Sequence, residues 1–269
     1  MKPFLKWVGG KQDLVEQLGI PDEIQGDYVE PFVGGGSVLL HVLATKKVKG
    51  KVRASDTNKI LIETYKRVKD DPEGLCVDVQ KLVSRWEQSE DRKDFYYKMR
   101  SEFNEKQTSE HFIFLNKMGF RGIFRLNKSG GFNVPYGNYA KFPLDDTLNS
   151  IRDASVAFKH HRVKFSVASA FDVLQTVGES DVVYCDPPYD DTFVGYSADG
   201  FSKEHTERLI TMLKETKAHA ILSNSATDFV KGLASPMTIR EITARRAIHS
   251  RDPSATASEC IITNRTYPK

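Results

Sequence analysis

The 269-residue sequence predicts an α/β fold, an open sheet carrying a smaller inserted domain. Three observations predict it. Short apolar runs alternate with helical stretches near both ends of the chain. Two of those runs end in loops that no sheet or helix could continue: three glycines at 34–36 and two prolines at 187–188. Between them lies a long stretch where the alternation stops. The length suits one large α/β domain plus a smaller one.

Bulk composition narrows the class. Hydrophobic content of 39% and charged content of 28% describe a soluble globular protein. No apolar run approaches the roughly 20 residues that span a bilayer, and the first residues, Met1 to Trp7, hold no apolar signal core. Cys76, Cys185 and Cys260 are far apart, which excludes a disulfide framework or a cysteine-built zinc site and suits a reducing compartment. The net charge of +3 does not by itself imply a polyanion partner.

Along the chain, Pro3 to Lys11 places Trp7 and two cations around a Gly-Gly turn, and Asp13 to Leu18 reads as a short helix. Trp7 alone would equally be a core aromatic. Residues 28–44 read as a strand running into the glycine turn, with an apolar helix after it. Glycines let the backbone approach a ligand closely, while free N–H groups point from the helix start. Lys51 to Asp56 is a second strand ending in a carboxylate. Asp56 follows Gly36 by 20 residues, the spacing at which a Rossmann-like unit offers an acid to ribose hydroxyls. The glycines do not form G-x-G-x-x-G, so a nucleoside ligand without a diphosphate fits better. A plain glycine turn with an N-capping aspartate is the alternative.

From Asn58 to about Asn104, apolar residues recur at helical steps. Residues 111–141 then change character, with Lys117, Arg121, Arg125, Lys128 and Lys141 and no acid. Interleaved are Phe120, Phe124, Phe132, Tyr136 and Tyr139, and Gly130-Gly131 suggests a hairpin turn. Cations for phosphates, aromatics for stacking and amides for base edges compose a nucleic-acid-reading surface. A basic loop over an aromatic mini-core is the other reading. A helix at 145–160, a strand at 163–167 and a helix from Ala170 follow. The run Asp181 to Cys185 is a strand ending at Asp186-Pro187-Pro188-Tyr189, which holds an acid and an aromatic on a stiff loop, where open α/β sheets bind ligands. A proline turn with a capping aspartate is the bland version. A helix capped by Ser202, a strand at 219–223 and strands near 237–248 and 258–264 complete the chain, with Arg245, Arg246, His249 and Arg251 as a second basic cluster.

Taken together, these segments resemble the Dam-type family of DNA adenine-N6 methyltransferases, the alpha-group enzymes with a DPPY motif, over nearly the whole chain. The resemblance is carried by Phe4 to Lys11, Glu30-Pro31-Phe32-Val33-Gly34-Gly35-Gly36-Ser37, Ser55-Asp56, Gly122 to Asn127, Phe132 to Gly137, the Phe193/Tyr196/Phe201 spacing, Leu222 to Ser225 and Asp186-Pro187-Pro188-Tyr189. It implies a Rossmann-like S-adenosylmethionine-dependent methyltransferase. Its seven-stranded, mostly parallel sheet (residues 1–56 and 161–269) would carry a mainly helical target-recognition insertion (57–160).

The resemblance also assigns residues. Asp186 and the Pro187 carbonyl would accept hydrogen bonds from the amino group of a flipped adenine, Pro188 would stiffen the loop, and Tyr189 would stack on the base. Trp7, Val8, Lys11, Phe32, Gly34, Gly35, Gly36, Asp56 and Asp186 would line the S-adenosylmethionine site. Ser169, Ala170 and Phe171 fall where the family contacts the cofactor's adenine, although members usually carry an acidic or aromatic residue nearby. Arg125 would read a guanine, Lys6 a flanking base and Tyr139 a phosphate; Phe120 and Ile123 would wedge or touch bases, with Arg121, Asn133, Pro135 and Asn138 completing the DNA surface. Arg121 replaces an asparagine found in some members, and Asn138 an arginine common in others. The implied substrate is double-stranded DNA with GATC as the first-choice site, without metal or membrane. The implied setting is intracellular, in a prokaryote or a virus's host, with a restriction endonuclease acting on the same site as a candidate partner. The alternatives are an RNA or other amino methyltransferase, and a DNA-binding module with a vestigial pocket.

Overall fold

The computed structural model describes residues 1–12, 14–189, 201–245 and 256–265. In chain order the elements are β1 (Tyr28–Glu30), α1 (Ser37–Thr45), β2 (Val52–Asp56), α2 (Lys59–Asp70), α3 (Pro72–Glu87), α4 (Arg92–Glu105), α5 (Ser109–Met118), α6 (Leu144–His160), β3 (Lys164–Val167) and α7 (Ala170–Leu174). Then come β4 (Val182–Cys185), α8 (Lys203–Glu215), β5 (His219–Ser225), α9 (Asp228–Ala234), β6 (Thr238–Arg245) and β7 (Thr256–Thr263). A single 3-10 turn at Val15–Leu18 replaces the short helix expected from Asp13.

These seven strands form one sheet in the order β3-β2-β1-β4-β5-β7-β6, and a separate parallel pair joins Glu23–Ile24 to Lys47–Val48. The first five run parallel, and β7 is antiparallel to both β5 and β6. Alternate side chains serve two cores. Tyr28, Val182, Tyr184 and Ile221 join α1, α2 and α6 on one face. Val29, Val183, Cys185 and Leu222 join α8 and α9 on the other. A strand covered on both faces carries no polar alternation, hence the unbroken Val-Val-Tyr-Cys of β4. The order reverses between β1 and β4, so the loops leaving their carboxyl ends diverge and open a crevice there. One loop holds the three glycines and the other holds Asp186-Pro187-Pro188-Tyr189.

Ser202 accepts from the His205 backbone N–H while the His205 ring returns to the Ser202 N–H, a capping box that starts α8. In the middle of the chain, α3, α4 and α5 enclose an aromatic core with Trp86, Tyr96, Phe103, Phe112 and Phe114 fully buried. Residues 119–142 wrap over it without named strands. Two isolated antiparallel bridges (Gly119 with Tyr136, Leu126 with Phe132) and the Asn127 N–H to Gly131 carbonyl bond form the expected hairpin turn.

Here the sequence reading needs correcting. Phe124 and Phe132, expected among the stacking aromatics, are buried, packed on each other and on Phe112 and Phe103. Lys117 is buried too, at the end of α5, and burial together with nearby Lys6 lowers its ammonium to about 8. The cause is a two-residue alternation: Gly122, Phe124, Phe132 and Val134 point inward, while Ile123, Arg125, Asn133 and Pro135 stay open to solvent. The segment therefore has an aromatic mini-core below and a polar surface above.

Among the described residues no helix is long and apolar enough to cross a membrane. All three cysteines are free and buried. Phe193, Tyr196, Arg246, His249, Arg251 and the side chain of Arg245 lie outside the described residues.

Candidate active site

Asp186 leaves β4 at the crevice with its side chain one-fifth exposed. Four groups converge on its carboxylate. Lys11 Nζ lies 3.0 Å from Oδ2, while the Ser223 hydroxyl donates to Oδ1 at 2.7 Å and the Tyr189 hydroxyl at 3.1 Å. The fourth acts from below: Glu30 is buried at the end of β1, takes a 2.8 Å bond from the Tyr28 hydroxyl, and feels the Asp186 charge. Burial first, then Asp186, pushes the Glu30 carboxyl up to about 8, so it is protonated at neutral pH. Glu259 of β7 closes the ring, 3.2 Å from the Tyr189 hydroxyl and 3.8 Å from Lys11 Nζ.

The parts converge because parallel neighbours end at one level. β4 pairs with β5 so that Cys185 faces Leu222, which puts Ser223 beside Asp186. Asn224 faces Cys260 across β5 and β7, which brings Glu259 to the same edge. Pro187 is buried and fixes the loop, and Pro188 is exposed. Tyr189 has its ring 5.0 Å from Lys11 Nζ, and burial with the adjoining carboxylates raises its phenol above the usual range.

On the β1 side, Gly34 and Gly36 adopt positive φ (45° and 72°), and a Cβ on Gly36 would stand 2.5 Å from the Tyr65 hydroxyl. Asp56 accepts from the Gly34 N–H at 3.2 Å and the Asn58 N–H at 3.0 Å, and burial raises its carboxyl. A carboxylate has about four acceptor sites, so capacity remains for a ribose hydroxyl. Phe32, Phe171 and Phe201 form an aromatic wall, with centroid separations of 5.7 and 6.4 Å about Phe201. Ser169 caps α7 through its hydroxyl and Ala170 is buried, so those two offer backbone more than side chain. A glycine cradle, an acid on the second strand and an aromatic wall fit S-adenosylmethionine as a donor set. Trp7 packs on Gly34 and Gly35 and stacks on Phe124 at 6.0 Å, joining this cradle to residues 119–142; Val8 beside it is half-buried.

The nine expected DNA residues are all at least partly exposed. Arg125 Nε donates to Asn133 Oδ1 at 2.7 Å, which orients the guanidinium. Lys6 Nζ stands 4.4 Å over the Tyr139 ring, and the Tyr139 hydroxyl accepts from the Arg121 N–H at 3.2 Å. Phe120 is 46% exposed beneath the Arg121 guanidinium. Arg121 and Asn138 both hold left-handed backbone, at φ 56° and 54°. Asparagine adopts that region readily and arginine does not, which marks Arg121 as held there by its surroundings. Pro135 is exposed beside them.

Comparison with known proteins settles the family. Residues 7–248 match the D12 class N6 adenine-specific DNA methyltransferase model. The chain belongs to this family. It is 35% identical to "Type II methyltransferase M.MjaIII" of Methanocaldococcus jannaschii, over 93% of this chain and 94% of that protein. It is 36% identical to "Retron Ec67 DNA adenine methylase" of Escherichia coli, over 97% and 90%, and 31% identical to "DNA adenine methylase" of Vibrio cholerae, over 92% and 90%. Solved structures overlay loosely: TrmN from Thermus thermophilus gives a TM-score of 0.42 at 11% identity, covering 94% of this chain and 48% of that one. The α/β assignment therefore rests on the sheet itself. This D12-class chain is an adenine-specific DNA methyltransferase, with S-adenosylmethionine as its methyl donor.

Sequence reading missed four partners. Glu30 stood inside a quoted motif but received no role, and Ser223 likewise. Glu259 carried no local signal, being 73 residues beyond Asp186. Asn116, buried in α5, clasps Lys6 through both its backbone N–H and carbonyl at 2.8 Å. Among the described residues no group of three or more His, Cys, Asp or Glu is placed to hold a metal ion.

Proposed function

We propose that the enzyme methylates adenine N6 in duplex DNA after flipping the base into the crevice at Asp186, at GATC or a related short palindrome. The observation that carries this reading is Asp186 itself, an ionisable acceptor held by Lys11, Ser223 and Tyr189 at the switch point beside the glycine cradle. A base inside a duplex hides its amino group, so chemistry on N6 requires extrusion. The N6 lone pair is delocalised into the ring. Hydrogen bonds accepted by Asp186 and the Pro187 carbonyl draw the nitrogen toward tetrahedral geometry and free the pair for attack. S-adenosylmethionine supplies an electrophilic methyl group on a sulfonium sulfur.

Positioning and electrostatics do the remaining work, with no covalent enzyme intermediate. Lys11 and Ser223 fix the Asp186 carboxylate, Tyr189 stacks on the base, and Glu30, whose carboxyl is raised by burial, adds little charge beneath Asp186. Trp7, Val8, Lys11, Phe32, Gly34 to Gly36, Asp56 and Ser169 to Phe171 bind the donor. Residues 57–160 form the target-recognition insertion. There Arg125, tethered by Asn133, reads a guanine bidentately. Lys6, Arg121, Asn138 and Tyr139 hold flanking backbone or base edges, and Phe120, Ile123 and Pro135 press on the opened step. A restriction endonuclease sharing the site is the partner suggested by relatives named as type II methyltransferases.

Labelled-methyl transfer from S-adenosylmethionine onto duplex DNA, single-stranded DNA and RNA tests the reading, with sequencing of the modified bases. N6-methyladenine in duplex DNA at one short palindrome is expected. Preferential labelling of RNA or of single strands overturns it.

A further inference from the structure

At the opposite end of the sheet lies a second feature that this chemistry does not use. A cleft of about 550 Å³ opens at the amino ends of β2 and β3. Its walls come from Glu23, the α1–β2 connection (Lys46, Lys47, Lys49) and the α6–β3 turn (His160, His161, Arg162), so one carboxylate stands among the cations. Lys51, Lys159 and Lys164 stand beside these segments in the sequence. Two of these cations are neutralised, Lys46 by Asp22 at 2.7 Å and Lys49 by Glu23 at 2.6 Å. Among the described residues, Lys47 and Arg162 make no ion pair, and both are exposed.

The turn gives a second, independent sign. The Val163 N–H reaches the Phe158 carbonyl at 2.9 Å and the Arg162 N–H the Lys159 carbonyl at 3.1 Å, ending α6 with Arg162 in left-handed backbone, φ 51°. Helices usually place glycine there, and a residue with a Cβ costs about 1 kcal/mol. An arginine at a position that favours glycine puts a guanidinium on the cleft at a conformational cost. The helix behind it has 17 residues, so the cleft stands about 25 Å from the segment that precedes α6. Asp186 is likewise remote, at the carboxyl end of a strand parallel to β2 and β3.

We propose that this cleft is a second DNA-backbone site, holding phosphates of a segment away from the target adenine. It rests on DNA being the substrate. Two contacts on one long molecule would raise the effective concentration of the reading surface along that molecule.

The test compares the Lys47→Glu/Arg162→Glu double variant with Lys214→Glu/Lys217→Glu, which changes charge equally on exposed positions at and just past the end of α8, outside the insertion. Binding is measured across salt on single-site DNA of several hundred base pairs, and turnover on a short single-site duplex. For the cleft variant we expect long-DNA affinity about tenfold below the control, and a log–log salt slope shallower by about 2 for two lost phosphates. Short-duplex turnover should stay within about twofold of wild type. The milder Lys47→Gln/Arg162→Gln pair should fall between. Long-DNA affinity and slope equal to the control's overturn the proposal. Wild-type methylation of the short duplex reports separately on whether DNA is the substrate.

Discussion

Lys11 Nζ lies 3.0 Å from Asp186 Oδ2 inside a site where Lys11 is only 3% exposed. The two residues are 175 positions apart, and neither motif that contains them announces the pairing. Lys11→Met keeps the chain length and removes the charge. Turnover at saturating substrates should fall roughly 100-fold, the usual effect of losing one preorganised electrostatic partner, with DNA affinity retained. Single-turnover kinetics and a binding isotherm check it.

Asn133 holds Arg125 by a 2.7 Å bond. Arg125→Ala should reduce discrimination between target and one-base-altered duplexes by about 10- to 100-fold, the worth of one bidentate base contact. Asn133→Ala should give a smaller loss of the same kind, because the guanidinium loses its aim. The double variant should discriminate no worse than Arg125→Ala alone, since both changes act through one contact. Ratios of kcat/KM on the two duplexes measure all three.

Gly36 has φ 72°, and a Cβ there meets the Tyr65 hydroxyl at 2.5 Å. That hydroxyl donates to the Gly34 carbonyl at 2.9 Å, so the clash is passed to the cradle. Gly36→Ala should destabilise the fold by about 1–3 kcal/mol and weaken S-adenosylmethionine by about tenfold. Thermal melting and calorimetry with the cofactor separate the two effects.

Glu30 ties stability to pH. Its carboxyl sits at about 8 in the folded protein against an ordinary 4.5. The folded state therefore holds a proton that the unfolded chain has released. The contribution is fully present below about pH 4.5 and is lost as pH rises through about 8. Glu30→Gln removes the titration, so its stability relative to wild type should grow across that window. The gain approaches a few kcal/mol, at about 1.36 kcal/mol for each pH unit. Denaturant melts from pH 5 to pH 9 check it, and parallel curves for the two proteins would contradict it.

What could be read in the chain before folding follows from how local each signal is. Glycines, prolines and a continuous Val-Val-Tyr run act on their own neighbours, so the glycine turn, β4 and the Asp186 loop were legible. The reading segment was half legible, because composition cannot say which aromatics alternate inward, and Phe124 and Phe132 proved to be core. Glu259 was not legible at all: its place beside Tyr189 depends on β7 pairing antiparallel with β5, a long-range register that no nearby residue encodes. Ser223 and Glu30 lay in noticed segments, but the carboxylate both act on, Asp186, arrives from the neighbouring strand β4.

The central claim is that Asp186 grips the amino group of a flipped adenine. Its most direct test measures N6-methyladenine formed in duplex DNA by wild type and Asp186→Ala, alongside the affinity of each for that duplex. The account predicts methylation of one short palindrome by wild type, and at least about a 100-fold loss in the variant with DNA affinity nearly unchanged. Methylation that persists in Asp186→Ala, or DNA binding lost together with activity, would contradict it.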